Sequence, residues 1–321
     1  MHTSRAFLVF AFAFQLLDST PALAATTAQQ VDSAVVGRWD LTVRGPDGDY
    51  PSWLEVSRSG YTALVGRFVG RVGSARPISR VEFANGVFRF AIPPQWDEGE
   101  EDLRVEGRLE GERLTGELTT PSGERHTWTA VRAASLRRER EPSWGDPITL
   151  FNGRDLTGWR TDPDGSANNW RAVDGVLRNT ASGANLVSTD AFTDFRLTLE
   201  LRYPETGNSG IYLRGRHEVQ VDDSGESEPT AHTIGAIYGF LTPSLAPGTR
   251  AGEWVTYEIT LIGRHVTVVV NGKTLISDQE IPGITGGALD STEGEPGPIM
   301  IQGDHTAVDF RNIVLTPARG R

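Results

Sequence analysis

The 321-residue chain contains no cysteine. That excludes a disulfide framework, a thiolate metal site, a cysteine nucleophile and a thioether lipid anchor, so packed cores alone must hold the fold. No HExxH pair is present, no phosphate loop with its lysine, and no nucleophile elbow around a serine. The acidic loop DDSGESE (Asp222 to Glu228) lacks the twelve-residue spacing of an EF hand and reads as a solvated loop. Positive charge is in deficit, with a formal net charge of -11. Such a surface is not attracted to nucleic acid or to anionic membranes. There is no internal repeat and no long low-complexity tract. Apolar runs long enough to span a bilayer are also missing.

The longest apolar run, AFLVFAFAFQLL, opens the chain after His2 and Arg5. PALA-A follows, with Ala22 and Ala24 in small-x-small spacing. This predicts a secretory signal peptide over residues 1–24 and a periplasmic or extracellular mature protein. Residues 25–34 read as a leader. Gly (36) and Pro (18) are frequent and helical periodicity is scarce, so many strands joined by turns are expected. The length favours two domains.

From Val35 the pattern alternates. GRWDLTV puts Trp39, Leu41 and Val43 on one face, and SWLEVSR, TALVGRFVG, SRVEFA, GVFRFAI, LRVEGRLEG, RLTGELTT and HTWTAVR follow. Residues 35–133 are expected to form a small antiparallel β-barrel or sandwich, with a weak lipocalin-like resemblance. Residues 134–147, including the charged SLRRERE, read as a linker. A second β domain is expected over 148–317.

Its strands carry directional polar groups. In NSGIYLRG, Ile211 and Leu213 face one way and Tyr212 and Arg214 the other. In HEVQVDD, Val219 and Val221 oppose Glu218, Gln220 and Asp222. GPIMIQGDH sets Ile299 and Ile301 against Met300 and Gln302, and His305 follows in the turn. VDFRNI sets Val308 and Phe310 against Asp309 and Arg311, and GAIYGF adds Tyr238. A face rich in Arg, Glu, Gln and Tyr suits sugar hydroxyls, whereas an ordinary wet face would carry interchangeable Thr, Ser and Lys.

FNGRDLTGW, WRAVDGVL, NSGIYLRG, HEVQVDD, GAIY, GEWVTYEI, VVVNG and GPIMIQGDHTAVDFRNI occur in this order over 148–317. Together they resemble the 3-keto-disaccharide hydrolase family. The resemblance implies an all-β chain whose C-terminal half is a concanavalin-like jelly-roll sandwich. It also implies action on glycosides oxidised at carbon 3, and hence an upstream sugar 3-dehydrogenase. The C3 ketone acidifies the C2 proton and makes elimination of the C1 oxygen, followed by hydration, accessible, with direct hydrolysis of the glycosidic bond as the other route. Glu218 and His305 are the candidates for proton transfer and Arg214 for enolate stabilisation. Tyr212, Gln220, Tyr238, Gln302 and Arg311 are candidates for substrate binding. Asp222 and Asp223, with Glu218 and His305, are candidate ligands should a divalent ion be used. A noncatalytic carbohydrate-binding jelly roll, or an envelope protein whose N-terminal barrel does the binding, stand as alternatives.

Overall fold

The structure is a computed structural model and describes residues 34–137, 142–163 and 165–319. The expected signal peptide, nearly all of the leader and residues 138–141 of the charged linker lie outside the described residues.

All eight alternating segments of the first half are strands: β1 (Gly37–Gly45), β2 (Gly48–Ser59), β3 (Ala63–Val69), β4 (Arg76–Ala84), β5 (Val87–Ile92), β6 (Leu103–Glu110), β7 (Arg113–Thr119) and β8 (Arg125–Arg132). Each pairs antiparallel with the next, and β1 also pairs with β8, which closes a barrel. The period of two sends Trp39, Leu41 and Val43 inward, where they meet Phe68, Phe88 and Trp128. An eight-stranded barrel is just wide enough for side chains to fill it, and these fill it.

The second half begins with β9 (Ser143–Trp144), β10 (Ile148–Thr149), β11 (Trp159–Asp162), β12 (Trp170–Val173), β13 (Val176–Asn179), β14 (Asn185–Phe192) and β15 (Phe195–Arg202). It continues with β16 (Asn208–Leu213), β17 (His217–Asp222), β18 (Val255–Ile262), β19 (His265–Val270), β20 (Lys273–Glu280), β21 (Gly297–Ile301) and β22 (Val308–Arg319). One sheet runs β12-β13-β22-β15-β18-β19-β20, with β9 and β10 paired to β22; the other runs β11-β14-β21-β16-β17. A single core joins the inner faces of both sheets, including Leu199, Phe310 and Val268 from one and Ile211, Val219 and Ile301 from the other. This is the two-sheet antiparallel sandwich that the sequence implied.

The expected linker is partly built in. β9 pairs with the end of β22, and Arg264 donates to the Ala134 carbonyl. The barrel itself docks on the segment between β20 and β21. Trp53, pointing outward from β2, buries its indole against Ile284, with Phe240 edge-on at 5.4 Å. Arg38 reaches Glu280 at 2.5 Å, and Thr42 reaches Ser291 at 3.3 Å. Two carboxyls meet in this seam, Asp40 of the barrel and Glu293 of the sandwich. Glu293 is fully buried and doubly bonded by Arg264. Burial, and then Glu293, push the Asp40 carboxyl up to about 9, so Asp40 keeps its proton at neutral pH.

Candidate active site

The site is built on the outer face of the five-stranded sheet. Residues of β16 and β17 alternate as the pattern requires. Ile211, Val219 and Val221 enter the core, while Tyr212, Glu218 and Gln220 turn to the other face. Tyr212 and Glu218 are directly paired across the two strands. Val187, Met300 and Leu289 form the apolar surround of Tyr212.

Glu218 is only 5% exposed. Room for it comes from the neighbouring strand, at Gly210. A Cβ there would overlap the Glu218 carboxylate oxygen and stand 2.9 Å from its Cγ. Burial pushes the Glu218 carboxyl up to about 8, partly offset by the Tyr212 hydroxyl and by His305. The hydrogen bonds show why the Tyr212 offset is only partial. Tyr212 Oη lies 3.0 Å from Glu218 Oε2 and 2.9 Å from the Gly286 carbonyl. A single hydroxyl proton cannot serve both acceptors at full strength. A protonated Glu218 removes the shortage, because it donates to Tyr212 and Tyr212 donates to Gly286. Ionising Glu218 calls the phenol proton back and leaves Gly286 without this donor.

His305 is held in the loop after β21. Its Nδ1 donates to Asp304 Oδ1 at 2.7 Å. That carboxylate bond raises the imidazole above its ordinary value, with Glu218 adding in the same sense. The loop is pinned from several sides. Ser182 donates to the Asp304 carbonyl, Asn179 to Gly303, and Thr306 exchanges two bonds with Asn208. Gln220 donates to Asn208 Oδ1 at 3.2 Å. Gln302 Oε1 is buried with no protein donor. Tyr238 is half-buried beside His232, and burial, then Glu218 and Asp222, raise its phenol.

Five expected residues are placed elsewhere or used otherwise. Arg214 has φ of 53° and so leaves the strand alternation. It is 1% exposed, donates to the Gly263 and Glu293 carbonyls, and does not bond Glu218. Arg311 lies on β22 in the other sheet, where it pairs with Glu200 and covers the Trp254 ring at 3.9 Å. Asp222 accepts from Ser224, and Asp223 accepts from the Thr206 amide at 3.0 Å. Among the described residues no three acidic or His side chains converge as a metal site, so these two aspartates do not join Glu218 and His305 in one ligand set. Tyr212 is 2% exposed and spends its hydroxyl on Glu218 and Gly286, so it positions the carboxyl rather than presenting a stacking face. The sequence reading missed Asp304 and Gly210. The Asp-His dipeptide and the lone glycine between β16 core positions were their signals.

Residues 146–316 match the family profile of the 3-keto-alpha-glucoside-1,2-lyase-like domain. The chain belongs to this family. Glu218, Tyr212, Asp304 and His305 all fall inside the matched residues of the lyase-like domain, and the barrel falls outside them. A candidate glycosyl hydrolase from Parabacteroides distasonis is 29% identical, covering 57% of this chain and 94% of its own, with a TM-score of 0.46. A second from that organism is 21% identical over 53% and 92%, with a TM-score of 0.45. A carbohydrate binding module, CBM66 from Bacillus subtilis, is 11% identical over 49% and 93%, with a TM-score of 0.36. No curated protein matches the chain.

Proposed function

We propose that the chain is an exported enzyme that cleaves glycosides oxidised at C3 by elimination across C1 and C2. The observation that carries this is the pairing of a buried, high-pKa carboxyl, Glu218, with the Asp304-supported imidazole of His305. Membership of the lyase-like family supports the substrate class.

The steps follow from what each group holds. Ionised Glu218 takes the C2 proton, a transfer worth about 100- to 10,000-fold when the base is in reach. The C2–H electrons become the C1–C2 double bond by way of the enolate, and the C1–O bond breaks with its electrons going to oxygen. His305, protonated and raised by Asp304, gives that oxygen its proton. Water then adds across the enone, at C1 and C2, to release the 3-keto sugar. The Gln302 side-chain carbonyl, buried without a protein donor, suits a sugar hydroxyl, and Tyr238 and Gln220 are further candidates for polar contacts. With Arg214 engaged elsewhere and His305 committed to the leaving oxygen, the developing enolate oxygen is assigned to the Tyr238 hydroxyl. The substrate itself must come from an oxidation at C3, by an enzyme of the sugar dehydrogenase class.

Incubation of the mature protein with a 3-keto glycoside in deuterated water, followed by NMR, tests the reading. Cleavage of the oxidised sugar alone, with deuterium entering C2 faster than in free 3-keto glucose, is expected. Cleavage without the label would replace elimination by direct hydrolysis, and no cleavage of several such sugars would leave a binding module.

A further inference from the structure

The barrel comes up against the face of the lyase-like domain that carries Glu218. In an up-and-down barrel the β1–β2, β3–β4, β5–β6 and β7–β8 connections share one end. Two of them, residues 70–75 and 93–102, meet there. Gln95 donates to Ser74 Oγ at 2.7 Å and accepts from the Ser74 amide at 3.2 Å. Arg76, itself buried, ties the Pro93 carbonyl and Asp97 at 3.1 and 3.2 Å. The rim is therefore braced. Yet Trp96 is 69% exposed on it, and Val72 is 53% exposed. An ordered loop holding an indole in water is an uncommon use of a large apolar side chain.

The position of this indole ties it to the cleft. A Cβ on Gly73 would stand 2.8 Å from Trp96 Cδ1, so the ring rests on that glycine. On its other side Gly73 meets Gly286, where a Cβ would stand 2.7 Å from the Gly73 nitrogen. Gly286 is the residue whose carbonyl takes the Tyr212 proton beside Glu218. Gly287 donates to the Arg71 carbonyl at 2.9 Å. The next barrel residue, Ser74, abuts Gly239, adjacent to Tyr238, with a Cβ-to-Cβ separation of 2.6 Å were Gly239 an alanine. Contacts through Gly73 and Gly286 thus link the Trp96 ring to the backbone that Tyr212 bonds beside Glu218.

We propose that Trp96, backed by Val72, is a distal sugar subsite that the barrel contributes to the cleft, stacking on the leaving-side sugar ring of the substrate. A pyranose presents axial C–H groups on one face. An exposed indole matches that face, while the polar floor around Glu218 takes the oxidised ring. The proposal rests on the glycoside-cleaving function above and deepens it.

The test compares a 3-keto methyl glucoside, which cannot reach the subsite, with a 3-keto glucose disaccharide. Two readouts are used: kcat/KM on the intact chain, and dissociation constants by calorimetry on the Glu218→Gln background. With Trp96→Ala, the preference for the disaccharide over the methyl glucoside is expected to fall about tenfold in both. Tyr61→Ala, at the opposite barrel end and 93% exposed, is the control and should leave the preference alone. An unchanged preference in Trp96→Ala overturns the subsite while leaving the proposed reaction standing. Disaccharide binding without turnover by the unmutated chain overturns the reaction, and the calorimetric comparison still decides the subsite. Binding of neither sugar overturns both.

Discussion

Glu218→Gln should abolish turnover and, at alkaline pH, make the protein more stable. The substitution keeps the shape of the side chain and leaves an amide oxygen for the Tyr212 hydroxyl, so the fold has no cause to fail. The magnitude follows from the carboxyl. Its value rises from an ordinary 4.5 to about 8. Each unit corresponds to about 1.4 kcal/mol between the two protonation states. The folded protein therefore holds this proton more tightly than the unfolded chain does. The stability it brings is complete below 4.5 and is lost as pH rises through 8, amounting to roughly 5 kcal/mol. Glutamine carries no charge to bury, so the variant escapes that loss. Thermal melts of both proteins from pH 4.5 to 9 should show the variant gaining steadily on the parent, most steeply between pH 5 and 8. The same carboxyl fixes the sense of the activity profile. As a base it must be ionised, so only about a tenth of the free enzyme carries it in the competent form at pH 7, and kcat/KM should rise with pH until loss of the His305 proton turns the profile down into a bell. Parallel melting curves would refute the burial argument. A rate that falls throughout the range, with no rising limb, would make Glu218 the acid instead of the base.

Tyr212→Phe removes the donor that ionised Glu218 draws on, so the rising limb of the rate profile should move up by about one unit with most of the maximal rate kept; an unmoved limb would dismiss the proton exchange with Gly286. Arg214→Met breaks buried bonds to the Gly263 and Glu293 carbonyls and should cost about 3 kcal/mol of stability, read as a lowered melting temperature, while the surviving folded enzyme keeps its limb near 8. Loss of turnover at an unchanged melting temperature would return Arg214 to the chemistry. Asp40, raised from 3.8 to about 9, stabilises the seam below its unfolded value and stops doing so as pH passes 9. Asp40→Asn, which carries no charge to bury at any pH, should therefore resist proteolysis at the 134–147 connection above pH 9 better than the parent, and equal cleavage rates would contradict a proton held on Asp40.

The strands were legible because their signal is local. Alternation in GRWDLTV or HEVQVDD depends only on which residues follow one another, and burial of Trp39, Leu41, Val219 and Val221 shows the period at work. The same rule placed Glu218 and Gln220 on the site face. It also placed Met300 opposite Ile299 and Ile301. Proximity between chain-distant groups was legible only by resemblance, as with His305 and Glu218. The barrel's approach to the pocket was not legible at all. It depends on Gly73, Gly239 and Gly286 meeting partners far along the chain, and a glycine that permits contact looks the same in sequence as one that makes a turn.

The two arginine misreadings have different causes. Arg311 obeys its alternation with Val308 and Phe310 inward, but its strand belongs to the other sheet, and no local pattern says which sheet a strand joins. Arg214 fails earlier. Extending the NSGIYLRG alternation by one residue assumed that the strand continued, whereas Arg214 and Gly215 both have positive φ, at 53° and 66°, and turn the chain back into His217. A glycine following a polar residue between two alternating runs is a hairpin signal in its own right. Reading Arg214-Gly215 as the turn ends the strand at Leu213 and keeps Tyr212, paired with Glu218, on the site face. It also releases Arg214 into the buried bonds that brace the loop before β21, so one local choice decides whether a cation stands beside the reacting sugar.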